Sequence, residues 1–306
     1  MEEGIVIKRN LALVFVGLAG IMWASSGVAA QGFFSNSSKT PMELTNIRMC
    51  VSGLIMIVIT ILRGKFKISA AILNRRKKLW IDIIIYGIIG VIAVQFTYFQ
   101  AISIGGAAAT TVILSAMPAM VVIWDSVYKK KFPTRAEVLA VILAMVGVFL
   151  LVTGGDPKTI LVPLGCVAWS LASGAVFAFS AIFPKHLFKM KIDPAFMTSM
   201  GMFLGGLMTF PLIDDWNWLP FVTEGNLFNV AWIIIFGTVI AFISFNVGLK
   251  FLTPEAAAIT AMTEPVSSVI ISYFVFGATF GLIESFGIIL VLTAILTPVI
   301  FAKNFT

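Results

Sequence analysis

Apolar residues run through this chain in long unbroken stretches, each the length of a bilayer's hydrocarbon core, and that pattern restricts the fold more than any motif. A span of hydrocarbon about 30 Å thick needs about 20 residues of helix. Inside lipid every backbone N–H and C=O needs an internal partner, which leaves only helices or a closed barrel. Barrel strands alternate apolar and polar residues, and these runs do not alternate. Only 11% of the residues are charged and 59% are hydrophobic, with a mean hydropathy of +1.04. A water-facing surface normally draws on about a quarter charged residues, so lipid is the main solvent for the outside of this fold.

Spans are expected at 11–33, 43–62, 80–101, 104–126, 134–153, 160–183, 195–213, 227–249, 254–276 and 282–301. The expected fold class is therefore an all-α integral membrane protein of ten transmembrane helices. An even number of spans places both termini on one side. Alternate loops then divide the 21 basic residues unequally. One side carries 18 of them, among them Lys8, Arg9, Arg75, Arg76, Lys77, Lys78, Lys129, Lys130 and Lys131. The other side carries Lys39 and Lys158, and Arg48 lies within a span. By the positive-inside rule both termini are cytoplasmic, and the expected location is the cell (plasma) membrane.

Trp80, Trp216, Trp218 and Trp232 fall near span ends, where aromatic belts form. Lys8 and Arg9 before an apolar run, with Val28-Ala29-Ala30 after it, have the look of a signal peptide, but the run is expected to stay as the first span, which the repeat requires. Cys50 and Cys166 lie inside apolar runs as small hydrophobes and give no disulfide or metal pattern. No cofactor is expected. The net charge of +7 is explained by orientation without nucleic acid, although the basic loops could also touch anionic headgroups.

The chain repeats itself at a shift of 147 to 148 residues. Leu13, Gly17, Ala24, Ser25 and Val28 face Leu161, Gly165, Ala172, Ser173 and Val176, while Pro118, Val122 and Glu137 face Pro265, Val269 and Glu284. The halves are 1–153 and 154–306. Five spans per half is an odd number, so the second half enters the membrane from the opposite side. Such inverted repeats exchange conformations around a midplane site, the architecture of alternating access.

Ten spans in two fives, Arg48 early in the second span, mid-span Pro118 and Pro265, and the following Glu137 or Glu284 resemble the EamA family of the drug/metabolite transporter superfamily. The resemblance implies export or exchange of small polar or amphipathic metabolites such as amino acids. That family often has a Gly-Glu pair where this chain has Lys130-Lys131 and Gly277-Ala278, so a role for that carboxylate does not carry over.

Glu264 is the one acidic residue expected near the midplane, about 15 Å into its helix. Intramembrane carboxylates mark pathways by default, with substrate contact or proton coupling as roles and a protonated structural bond as the alternative. Pro265 beside it removes a backbone donor and can kink the helix, as can Pro118 in the other half, where Met117 replaces the glutamate. Thr260 and Ser268 extend the polar face of Glu264 by one turn each way.

Arg48 can snorkel to the nearer surface, or pair with a substrate carboxylate or with Glu264. Gln95 and Tyr98 share a helix face and align with Phe242 and Phe245 beside Asn246, a mixture suited to a cavity and equally to packing. Ser25, Trp169, Ser173 and Ser115 are further substrate-binding candidates among small residues that also permit close helix approach. His186 belongs to a basic loop, and Glu137 and Glu284 suit helix N-termini.

A membrane-embedded enzyme would need several acid, base or metal-ligating groups to converge, and a single central carboxylate does not supply them. A facilitator or channel remains the alternative to a coupled carrier, though no carbonyl-filter repeat is present. The expected partners are a small-molecule substrate, the lipid bilayer and protons as a candidate coupling ion, with the protein a monomer or weak homodimer.

Overall fold

The computed structural model describes residues 2–115, 132, 134–183, 187, 190–248, 260 and 263–302. Helices account for nearly all of them, with no strand among the described residues. The first half holds α1 (Glu2–Asn36), α2 (Pro41–Leu62), α3 (Lys65–Arg75), α4 (Lys78–Ile85), α5 (Ala93–Gly105), α6 (Ala107–Leu114) and α7 (Arg135–Thr153). The second holds α8 (Leu164–Ile182), α9 (Pro194–Thr209), a single turn α10 (Leu219–Val222), α11 (Glu224–Ile234), α12 (Ala241–Gly248), α13 (Thr263–Phe276) and α14 (Leu282–Ala302). The fourth expected span is described only through Ser115, so the count of ten extends beyond the described residues.

Helix boundaries follow from local chemistry. At the start of α2, Thr40 and Glu43 form a reciprocal capping box, and Pro41 sits where its missing N–H costs nothing. Its counterpart α9 opens the same way, with the Asp193 carboxylate accepting from the N–H groups of Ala195 and Phe196 before Pro194 and the helix proceed. Gly106, at φ 79°, breaks α5 from α6 in a conformation that only glycine adopts cheaply. The Ala107 N–H that this break exposes donates to Gln31 Oε1 at 2.8 Å, which ties α1 to the new helix.

Two helices contain wider π turns. Tyr86–Ile92 joins α4 to α5, and Ile235–Ile240 joins α11 to α12. Displaced by 147 residues, the first falls on 233–239, so the two defects occupy matching places in the halves. A π turn leaves carbonyls without their usual i+4 partner and is frequent at functional sites.

The halves interleave. α1 packs on α12 and α13, and its repeat mate α8 packs on α5 and α6. α2 lies on α9, α6 on α13, and α7 on α14. Gly147 and Gly287 let the last pair touch backbone to backbone: a Cβ on either would come within 2.6 Å of the other's carbonyl oxygen. α1 also runs unbroken through Val28-Ala29-Ala30, with Val28 and Ala30 buried, so the segment that resembles a leader is part of the packed core.

The basic stretch between α2 and α4 is a helix, whereas the sequence reading places only a loop there. Ser69 and Leu73 are buried, and Phe66 and Ala70 pack on the cluster formed by Ile83, Ile192 and Phe196. This face is too short and too interrupted by lysines to register as an apolar run.

Candidate functional site

Arg48 lies about 10 Å into α2, given its place two turns from Pro41. It does not snorkel. Only 3% of the residue is exposed, because the guanidinium turns inward to partners on two other helices. Its Nη1 donates to Gln95 Oε1 at 2.6 Å, its Nε to Thr238 Oγ1 at 2.8 Å and its Nη2 to the Gly237 carbonyl at 3.0 Å. The Phe99 ring centroid lies 5.1 Å from its Cζ, in cation–π range. Thr238 and Gly237 belong to the second π turn, so the arginine supplies donors where the helix defect leaves acceptors free. The Thr238 hydroxyl in turn donates a hydrogen bond to the Ile233 carbonyl at 2.9 Å.

Glu264 stands in the first turn of α13 as described. Its depth from the expected helix start involves residues 254–259, which lie outside the described residues. The carboxylate is within electrostatic range of both Arg48 and Tyr98. The structure thus gathers Arg48, Gln95, Tyr98 and Glu264, which are scattered over more than 200 residues of sequence, around one place between the halves.

Tyr98 is buried, and its hydroxyl fits against Gly27, where a Cβ would come within 2.5 Å of Oη. That hydroxyl has no hydrogen-bond partner among the described residues, and neither do those of Ser26, Ser268 and Ser272. Buried hydroxyls without partners are costly, and Ser268 and Ser272 lie one and two turns beyond Glu264 on the same helix, which makes one polar stripe.

The remaining candidates are tied elsewhere. Ser173 donates to the Val94 carbonyl at 3.3 Å and fastens α8 to α5. Trp169 packs edge-on against Phe96 with ring centroids 5.6 Å apart. Ser25 donates to the Met22 carbonyl and accepts from the Trp232 indole at 2.9 Å, so Trp232 ties its helix to α1. Ser115 donates to the Thr111 carbonyl. Thr260 offers its carbonyl to the Thr263 hydroxyl, which also bonds the Gly17 carbonyl of α1. Pro265 is buried one residue after Glu264. Pro118, Met117 and His186, and the side chains of Asn246 and Glu137, lie outside the described residues. Glu284 occupies the first turn of α14, where its charge meets the positive helix end.

Two residues of this region escape a sequence reading. Asn46, two places before Arg48 and 1% exposed, donates to the Gly206 carbonyl at 2.7 Å and Thr209 Oγ1 at 3.1 Å, binding α2 to α9. An asparagine within an apolar run was the available signal. The other is Lys39, in the loop between α1 and α2. Its side chain is 1% exposed, and its ammonium donates to Glu43 Oε1 at 2.8 Å, Asp215 Oδ2 at 2.6 Å and the Asp215 carbonyl at 3.0 Å. The cation clamps the two halves together at one end of the bundle.

Burial works against the charge of Lys39, but the hydrogen bonds to Asp215 and Glu43 outweigh it and raise its pKa above the ordinary 10.5. The hydrogen bond from Lys39 holds Asp215 below the ordinary 3.8. A depressed acid stabilises above its unfolded pKa and loses that effect as pH falls through its folded pKa. A raised base keeps its effect until pH rises through its own. The clamp therefore holds from the acid side of 3.8 to the alkaline side of 10.5. Asp215 is solvent-exposed, so salt weakens its share. Lys39→Met is expected to lower the melting temperature at neutral pH, and the gap to the parent protein should narrow in acid below the ordinary carboxylate range. An unchanged melting curve at pH 7 would contradict the clamp.

The chain matches the EamA-like transporter family twice, over residues 10–153 and 164–299. It is 28% identical over 280 residues to the uncharacterized inner membrane transporter YicL of Salmonella typhimurium, covering 91% of this chain and 92% of that one. It is 24% identical over 294 residues to the uncharacterized transporter YwfM of Bacillus subtilis, covering 95% and 94%. A protein described only as a crystal structure superposes with a TM-score of 0.63 at 16% identity, over 97% of this chain and 99% of its own, which establishes a shared fold.

Proposed function

This chain belongs to the EamA-like transporter family, and on that premise we propose that it is a secondary transporter of small polar or amphipathic metabolites, amino acids among them, exported or exchanged by alternating access. The observation that carries this reading is the placement of Arg48. It arises in the first half and holds the π turn of the second, so the site it shares with Gln95, Tyr98 and Glu264 is built from both halves. A site of that kind must change when the halves move against each other.

Among the described residues Arg48 uses three N–H donors in these bonds, and a guanidinium has five. The other two suit a substrate carboxylate, while Glu264 suits an amine or a coupling proton. The unpartnered hydroxyls of Tyr98, Ser268 and Ser272 supply orienting bonds. Inverted halves of five helices, cytoplasmic termini and residence in the cell membrane belong to the same reading. The Lys39 clamp then serves as a closed gate at the outer end.

A melting screen of the purified protein against amino acids, nucleobases, sugars and organic cations tests the substrate class, since a ligand that binds the folded state stabilises it by mass action. A ligand present at about a hundred times its Kd contributes about 2.7 kcal/mol, enough to move a melting curve visibly. Counterflow in proteoliposomes tests the mechanism: unlabelled substrate inside the vesicle should accelerate uptake of labelled substrate. Uptake that ignores the trans substrate would point to a channel and overturn the carrier reading.

A further inference from the structure

From the surface of α3 and the run that follows it, we infer a docking site for the phosphate headgroups of anionic phospholipids. Three observations converge there. Lys65, Lys67, Arg75, Arg76, Lys77 and Lys78 are all exposed. No carboxylate occurs between Glu43 and Asp82, so nothing on the segment itself neutralises them. Large apolar side chains stand among them: Leu62 is 81% exposed and Ile68 58%.

The geometry places this patch at a membrane surface. Only two residues separate the end of α2 from the start of α3, and Leu62 closes α2 with its side chain bare. Trp80 then opens the return path into the apolar α4. A short helix between two spans, with one face packed on protein, presents its other face at headgroup level. There Ile68 contacts the acyl boundary while the long stems of Lys65 and Lys67 carry their charges outward to phosphate.

Rigidity separates this patch from a free basic loop. Phe66, Ala70 and Leu73 anchor α3 to the buried cluster around Ile83 and Phe196. Ser69 Oγ accepts from the Asp193 N–H at 3.2 Å, which joins α3 to the N-terminus of α9 in the other half. The cations are thus held on a fixed scaffold that links α2, which carries Arg48, to α9. Orientation by the positive-inside rule requires the charge, but it requires neither the helix nor its anchoring.

Each basic residue at an anionic surface strengthens binding by about fivefold at moderate salt. In the full-length protein, phosphatidylglycerol added to a zwitterionic background is expected to raise the melting temperature and to persist as bound lipid in native mass spectra. Arg75→Gln/Arg76→Gln/Lys77→Gln/Lys78→Gln should weaken that retention by roughly a hundredfold or more. The loss should shrink as salt is raised, because screening weakens the effect, and Lys158→Gln should change nothing. If the fourfold variant does not fold in zwitterionic lipid, Lys65→Gln/Lys67→Gln provides the same test, with an expected loss of about 25-fold. Retention equal to the parent protein's in a folded variant would overturn the assignment. So would equal stabilisation by inorganic phosphate alone, which would identify a site for free anions.

Discussion

Replacing Arg48 with alanine is expected to reduce transport by at least about tenfold and to destabilise the fold at once, because one side chain serves both ends. Each hydrogen bond inside a membrane protein contributes about 0.6 kcal/mol on average and up to about 1.7. Losing the three bonds to Gln95, Thr238 and Gly237 therefore costs roughly 2–5 kcal/mol, before the acceptors left bare in the π turn are counted. The melting temperature should fall by several degrees. Arg48→Lys separates charge from shape: it keeps the cation but cannot reach three acceptors in three directions. A lysine variant that melts and transports like the parent protein would mean that only charge matters. An alanine variant with parental uptake would remove Arg48 from the site altogether.

Glu264→Gln is expected to abolish transport in reconstituted vesicles or to uncouple it, leaving exchange without accumulation. The substitution preserves volume and the ability to hydrogen-bond and removes only the ionisable proton, so it distinguishes a working carboxylate from a structural one. A structural bond between α13 and its neighbours would survive the amide, and uptake would then persist. Unchanged uptake at every pH would sink the proposal. The effect should exceed that of Ser268→Ala, because the hydroxyl orients substrate while the carboxylate supplies charge, and charge-assisted bonds are about twice as strong.

The all-helical, apolar character was readable because the bilayer imposes a length and a polarity on the helices that cross it. The polar residues inside them, Arg48, Gln95, Tyr98 and Glu264, were readable for the same reason: lipid makes each one conspicuous. Their partners were not. Thr238 and Gly237 lie 190 and 189 residues from Arg48, and nothing in the local pattern Ile-Phe-Gly-Thr-Val-Ile announces a π turn, since an inserted residue changes backbone register without changing residue type. The burial of Lys39 was not readable because it depends on Asp215, a residue of a different loop. The capping box Thr40-Pro41-Met42-Glu43 was in plain view, yet the second oxygen of Glu43 is shared with that lysine. α3 stayed hidden because its apolar face is only four residues wide and is anchored by contacts that are distant in sequence.

The interleaving of the halves also has a consequence for how the molecule is made. The most extensive helix contacts, α7 with α14, α2 with α9, α5 with α8 and α1 with α13, all cross from one half to the other. During synthesis the first helices reach the bilayer before any of these partners has been translated, and they must wait there with Gly53, Gly87 and Gly147 facing lipid in place of a neighbouring backbone. Pairing of these helices therefore has to wait until their partners in the second half have been translated.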